Sequence, residues 1–310
     1  MRALTAAFLV LAIAQNSFAW NGTGHKIVAF IAFSQLTPKA RNTSARLLAM
    51  HPMLDDMADE DERGRRSVFI RFATWADFIR NDDHFVDTPQ KNAQCNASGQ
   101  PQTSGPAFPG FPDMERHQDW HFVNTPFSSD GTPTGQKCQP NAQTQIEALR
   151  RTLAGANVRD DVKAFALPWV LHLVGDVHQP LHATSRFSAA LPGGDRGGNS
   201  VKLRVGSNLH SFWDATLGTG ETDEFIAQVA TSIMDDFPSS AAALNLTPGT
   251  WIAESFQIAK SRVYTFSGSG TRGNTVTLSA DYKKAAKETA RERAALAGYR
   301  LAAVLNQAFR

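Results

Sequence analysis

His172 and Asp176 stand four residues apart in LHLVGDVHQPLH, Leu171–His182. On a helix that spacing puts both side chains on one face, where an imidazole and a carboxylate can share a metal ion. Pro180 cannot continue a helix interior, so the backbone turns just after His178 and frees His182 to address a second ion. The same spacing recurs at His210 and Asp214 in NLHSFWDATL. In a chain with nine histidines the spacing also arises by chance, and satisfied core or surface histidines are then the alternative. The metal reading has to come from the rest of the chain.

The elements that would position these residues belong to an ordinary globular chain. It has 310 residues, 42% of them hydrophobic and 19% charged, with a formal net charge of +2. That is enough to bury one large core, and it excludes a disordered chain. With no basic tail, any nucleic-acid contact must come from a local site. MRALTAAFLVLAIAQNSFA, residues 1–19, has a basic Arg2, a short apolar run and small residues at Ser17 and Ala19. It reads as a secretory signal peptide cleaved after Ala19, with an uncleaved anchor as the alternative. No later segment is long and apolar enough to span a bilayer, so a soluble secreted or periplasmic protein is expected. Cys95 and Cys138 could then form a disulfide bond closing a loop around His121, with two free thiols as the alternative.

Cleavage would make Trp20 the first residue. Apolar positions from Ile27 to Leu36 recur at helical spacing, which places His25 at the start of a first helix. Pro38 opens a second, running to about His51, and Arg66–Arg80 is an amphipathic helical stretch with Asp77 and Arg80 within one turn. Residues 81–118 form a long irregular insertion, followed by an extended piece, WHFVN, carrying His121. Helices are predicted over Gln143–Leu153 and over Asp160–His178, the latter bent or restarted at Pro168. After the Gly-rich turn at Leu191–Ser200, SVKLRV is the best strand candidate. A helix from about Leu209 and helices over Glu221–Phe237, Thr250–Phe266 and about Ser279–Phe309 complete the chain. With no linker and no internal repeat, the expectation is an all-α fold: a mainly helical single domain over 20–310 with a small β-hairpin element.

In order, the chain carries WNGTGH at Trp20–His25, WADFIR at Trp75–Arg80, WHFVN at Trp120–Asn124, LHLVGDVHQPLH, GGN at Gly197–Asn199 and NLHSFWD at Asn208–Asp214. This arrangement resembles the S1/P1 nuclease family, secreted trinuclear-zinc nucleases that share their fold with zinc phospholipases C. The resemblance implies three Zn2+ sites. One is held by Asp77, His121, His172 and Asp176. A close neighbour uses the amino group and carbonyl of Trp20 with His25 and a shared Asp176, and the third uses His182, His210 and Asp214. His51, His84, His117 and His178 are left as surface or supporting residues.

Zinc takes imidazole and carboxylate ligands, and a catalytic ion keeps a position open. Bound zinc lowers the pKa of water from about 15.7 to about 7 and can stabilise a departing oxygen at phosphorus. A Trp20 amine could ligate only as a free N-terminus, so signal removal would be an activation step. Arg80, one turn after Asp77, could grip a phosphate oxygen, with a helix-surface arginine as the alternative. Phe122 could stack on a base or pack in the core. Fungal members commonly have an aspartate where this chain has Asn124, an amide that both donates and accepts, so base preference is expected to differ. The resulting expectation is a monomeric hydrolase of single-stranded DNA and RNA, giving 5′-phosphorylated products and acting on 3′-nucleotides. Neither a membrane anchor nor a stable protein partner is expected. A zinc phospholipase C and a non-enzymatic secreted zinc-binding protein are the two alternatives.

Overall fold

The computed structural model of the protein describes residues 20–57, 64–98 and 100–310. The signal-peptide expectation falls on residues 1–19, outside them. Among the described residues the helices are α1 (Gly22–Gln35), α2 (Pro38–Leu48), α3 (Leu54–Met57), α4 (Arg65–Phe72), α5 (Trp75–Phe78), α6 (Ala142–Ala154), α7 (Asp160–Asp176), α8 (Leu209–Asp214), α9 (Asp223–Asp236), α10 (Pro248–Ile258) and α11 (Ala280–Ala308). The short strands β1 (Gln90–Lys91) and β2 (Ala97–Ser98) pair antiparallel as a small hairpin inside the stretch read from sequence as irregular. β3 (Thr125–Ser128) and β4 (Thr184–Phe187) pair in parallel, with Thr125 opposite Thr184.

The architecture follows from α7. Its sequence from Ala164 to Asp176 is apolar around the whole circumference apart from His172 and Asp176, and every residue of that run is buried. A helix of that kind must be covered on all sides. The covering is supplied by α6, α2, α5, α11 and α1, while α1 itself lies against α11, α9 and α4. Trp20, Trp75, Trp169 and Trp251 are fully buried in this core, and each large ring contributes on the order of 2–3 kcal/mol by leaving water. The helix starts are encoded locally. Asn21 accepts from the Gly24 amide, Thr37 caps α2 ahead of Pro38, and Asn141 with Thr144 forms a reciprocal capping box on α6.

Several expectations are corrected. The stretch Arg66–Arg80 is not one helix: α4 ends at Phe72, α5 begins at Trp75, and a 3-10 turn follows over Ile79–Asn81. The break leaves the Ala73 carbonyl outside the helical ladder, where it accepts from His172 Nδ1 at 2.8 Å. His121 lies at the end of a 3-10 turn, Gln118–His121, rather than in an extended piece. α7 continues through Pro168 without restarting and stops at Asp176, two residues before His178. The last part of Thr250–Phe266 widens into a π turn over Ala259–Val263. SVKLRV forms no strand: Val201 and Leu203 are buried in a smaller apolar cluster with Leu209, Trp213 and Val276, but only isolated bridges join Lys202 to Asn208 and Leu203 to Val276. The irregular insertion is anchored by Phe85 and Phe111, which pack edge-on against Trp75.

Candidate metal centre

Six segments spread between residues 22 and 214 deliver imidazoles and carboxylates to one buried region. His25 comes from the first turn of α1, Asp77 from α5, and His121 from its 3-10 turn. His172 and Asp176 come from the last two turns of α7, His182 from a 3-10 turn over Pro180–Ala183, and His210 and Asp214 from α8. All eight are buried. Single ligand atoms within 4.8 Å of one another define three groups: His25, His172 and Asp176; Asp77, His121 and His172; and His182, His210 and Asp214.

Asp176 joins the first two groups through different oxygens. Oδ1 lies 3.3 Å from His25 Nε2, while Oδ2 lies 3.2 Å from His121 Nδ1 and 3.3 Å from His172 Nε2. The His25 and His172 rings stack at 3.8 Å. His172 donates from Nδ1 to the Ala73 carbonyl, so its Nε2 carries a lone pair, and this nitrogen faces His121 Nδ1 at 3.1 Å. Trp20 is fully buried alongside. Its indole N–H donates to the carbonyl of Gly175, the residue before Asp176, at 3.1 Å. That approach needs Gly24, because a Cβ there would fall 2.6 Å from Trp20 Cβ.

The third group is tied to the second by the β3–β4 pairing. His182 donates from Nδ1 to the His121 carbonyl at 2.6 Å, and Val123 N–H donates back to the His182 carbonyl at 2.6 Å. His210 donates from Nδ1 to the Gly197 carbonyl at 2.6 Å. Gly197 has φ +62°, and a Cβ on it would sit 2.4 Å from the Leu181 carbonyl oxygen, which accounts for the first residue of the GGN motif. With both Nδ1 atoms donating to carbonyls, His182 Nε2 and His210 Nε2 present lone pairs to each other at 3.0 Å. Asp214 Oδ2 stands 3.6 Å from His210 Nε2, and its Oδ1 accepts from Gln179 Nε2 at 2.8 Å.

Burial lowers the His25 pKa to about 4, lowers that of His172, and holds His121 and His182 well below the ordinary imidazole range. It pushes the Asp176 and Asp214 carboxyls well above theirs. Neutral imidazoles are the ligating form, and carboxylates this deep ionise only beside positive charge. Both His25 nitrogens, both Asp77 oxygens, His121 Nε2 and Asp176 Oδ1 are buried without a hydrogen bond. Facing lone pairs at about 3 Å and orphaned carboxylate oxygens are unfavourable alone and favourable around a cation. The N and O donor set suits zinc.

The S1/P1 Nuclease family model matches residues 20–310. The chain belongs to the S1/P1 nuclease family. S1/P1 membership makes it a nuclease, a hydrolase of phosphodiester bonds whose substrates are nucleic acids, and zinc dependence is consistent with the family. This favours the nuclease over the phospholipase and non-enzymatic readings. The chain is 24% identical over 246 residues to Nuclease S1 of Aspergillus oryzae (strain ATCC 42149 / RIB 40), covering 76% of this chain and 67% of that one. It is 25% identical over 337 residues to Endonuclease 4 of Arabidopsis thaliana, covering 100% of this chain and 96% of the relative. Endonuclease 3 of the same plant is 30% identical over 162 residues, covering 46% of this chain and 51% of that one.

Of the remaining expected residues of the S1/P1 chain, Arg80 contacts a member of the centre, while Phe122 and Asn124 are close to His121 in sequence. Arg80 Nε lies 3.2 Å from Asp77 Oδ1, with a side chain only 9% exposed, so it is not the helix-surface arginine of the alternative reading. Phe122 follows His121 half-buried, and its carbonyl accepts from the first amide of α6 at 3.1 Å. Asn124, also half-buried, immediately precedes β3. The disulfide between Cys95 and Cys138 is present and ties together the irregular segments on either side of His121.

The leftover histidines separate. His84 is exposed and pairs with Asp82 at 2.8 Å, as expected of a surface residue. His51 is instead a core residue, edge-on to Phe72 and Trp75, with Nδ1 accepting from Met53 N–H. His178 is fully buried behind the centre. It donates from Nδ1 to the Val174 carbonyl and accepts from Arg300 at Nε2, 3.0 Å away. Arg300 and Arg293 of α11 both pair with Glu254 of α10, and Arg293 also donates to the His178 carbonyl. Together with Ser255, which donates to the Val177 carbonyl, they hold the turn between Asp176 and His182. This clamp and Gln179 were missed from sequence. The only available signal was an acidic Glu254 and two arginines on faces otherwise apolar.

Proposed function

We propose that the protein is a secreted, zinc-dependent phosphodiesterase that hydrolyses single-stranded DNA and RNA to 5′-phosphorylated products and removes phosphate from 3′-nucleotides. The carrying observation is the pair of bare Nε2 atoms of His182 and His210 facing each other 3.0 Å apart beside Asp214, next to a carboxylate, Asp176, whose two oxygens serve different histidines. In this reading three ions would be held: one by Asp77, His121, His172 and Asp176, a second by His25 and Asp176 with the amine and carbonyl of Trp20, and a third by His182, His210 and Asp214. When bound, such ions act as Lewis acids toward phosphate oxygens and make water acidic enough to attack near neutral pH.

The chain's own residues do the rest. Asp176 fixes the spacing of the paired groups, and the backbone carbonyls of Ala73, His121 and Gly197 orient the imidazoles by accepting their Nδ1–H. Arg80 neutralises charge on the phosphoryl group from its place beside Asp77. Phe122 offers a ring face to a base, and the Asn124 amide both donates and accepts toward that base's edge. A base must leave its stack to reach donors this deeply buried, which favours single strands. Residues 1–19 are removed on export, freeing Trp20. The family match beginning at residue 20 and the burial of Trp20 beside Gly175 support that processing. The mature domain, residues 20–310, acts as a monomer without a membrane anchor or a stable protein partner.

The test is one purified sample assayed on single-stranded and duplex DNA, single-stranded RNA, a 3′-nucleotide and phosphatidylcholine, with and without a chelator. Chelator-sensitive cleavage of the single strands with 5′-phosphate ends is expected. Full turnover after chelation and dialysis, or a preference for the phospholipid, would overturn the proposal.

A further inference from the structure

Outside the three groups, a fourth set of donors lies on the turn leading into the His121 segment. Asp113, Glu115 and His117 each offer one ligand atom within 4.8 Å of the others. His117 is 6% exposed, and its Nε2 is buried without a hydrogen bond, although Asp113 Oδ1 lies only 2.9 Å away. That contact is close but off the line along which the ring would donate, as two ligands of a common ion stand to each other. Glu115 Oε2 is 3.6 Å from Nδ1 of the same ring, and the Asp113 and Glu115 side chains are 35% and 41% exposed.

The charge balance points the same way. Neither Asp113 nor Glu115 is paired with a lysine or arginine among the described residues. Arg116, between Glu115 and His117 in sequence, is turned the other way, donating to the Ile79 and Asp82 carbonyls and pairing with Asp87. A divalent ion would balance both carboxylates and take the imidazole nitrogen as its third ligand. One imidazole with two carboxylates selects a zinc-like ion over calcium or magnesium, and the exposed side of the set leaves room for water to complete the shell.

We propose that Asp113, Glu115 and His117 form a further divalent-cation site of zinc type, separate from the catalytic groups, that braces the turn bearing His121. The bracing runs through rings. His117 stacks on Trp120 at 3.7 Å and 5°, Trp120 meets Trp169 at 4.9 Å, and Trp169 meets His121 at 5.7 Å. His117 also holds the left-handed conformation, φ 45°, at the head of the 3-10 turn and accepts from Trp120 N–H there. An ion on His117 thus fixes the ring on which the segment before His121 is stacked.

The test is zinc stoichiometry on the full-length mature enzyme, dialysed against a series of buffered free Zn2+ levels and analysed by mass spectrometry for metal per chain. Wild type should hold one Zn2+ per chain more than D113N/E115Q over part of the series, and H117Q should match the double variant. Removing the His117 ring could unsettle the turn, so the double variant, which changes only part-exposed carboxylates, carries the decision. Superimposable isotherms for wild type and the double variant would overturn the site, leaving His117 and Asp113 as an ion pair only. Loss of more than one ion in the double variant would equally overturn a discrete site. Repeating the comparison in a D176N background keeps this outcome apart from that of the catalytic groups, since the one-ion difference should persist there.

Discussion

The two His-x-x-x-Asp pairs share a spacing and differ in what holds them. His172 and Asp176 close a seventeen-residue helix that is buried on every side from Ala164 onward. His210 and Asp214 lie on α8, a helix of six residues started by Asn208 and oriented by a glycine carbonyl from a neighbouring turn. The first pair is positioned by the hydrophobic core, which a single surface change barely touches. The second is positioned by caps, turns and a few hydrogen bonds, each worth about 1 kcal/mol. The same spacing is therefore robust in one place and locally fragile in the other.

The comparison can be broken first at Asp176. Because its two oxygens serve different histidines, D176N should lower nuclease activity on the order of 10³-fold or more, read as kcat/KM on single-stranded DNA with metal content on the same sample. Unchanged turnover would place the chemistry elsewhere. Next comes G197A, which forces a Cβ against the Leu181 carbonyl and misplaces the acceptor of His210. It should weaken zinc at the His182, His210 and Asp214 group by about 10–100-fold in chelator competition, leaving the Asp176 groups near wild type. Equal loss at all groups would mean that the two scaffolds are not independent.

His51 sharpens the comparison on the core side. Burial lowers its pKa to about 3, below the 6.5 of the unfolded chain. Between those values the unfolded state binds the extra proton, so stability falls as pH falls from 6.5 toward 3, and no more is lost below that. From pH 6.5 to pH 5 the loss is about 2 kcal/mol in denaturant melts, and His51→Phe should flatten that slope. An unaltered slope in the variant would assign the acid sensitivity to other groups. The smallest effect belongs to N208A. Asn208 caps α8 through the Ser211 amide at 2.8 Å, and losing that cap should cost about 1 kcal/mol of stability, with zinc released earliest from the His210 group.

These contrasts also explain what could be read without coordinates. The helical period along these segments is local, so the mainly helical fold was visible in the chain, whereas the donor sets came from the order of motifs that resembles the family and not from spacing alone. The break at Ala73 and Thr74 was not visible, because it serves His172, a residue about a hundred positions later. The alternation in SVKLRV reports burial correctly, since Val201 and Leu203 are covered. It could not reveal that only isolated bridges with Asn208 and Val276 would join it. Pro126 hid the strand β3, whose partner is distant and parallel. Nothing in the neighbourhood of His51 or His178 distinguishes a core histidine from a surface one, because the rings and arginines that enclose them come from other elements.

The clamp behind the centre shows what the donor residues need beyond themselves. α1, which brings His25, lies against α11, and the turn between Asp176 and His182 is gripped by Arg293 and Arg300 near the chain's end. A nascent chain that has emerged only as far as Asp214 already contains every proposed ligand, yet lacks the wall against which two of those segments rest. A chain without α11 should therefore keep all of these donor side chains and still fail to gather them, so the centre depends on a helix that supplies it with no ligand.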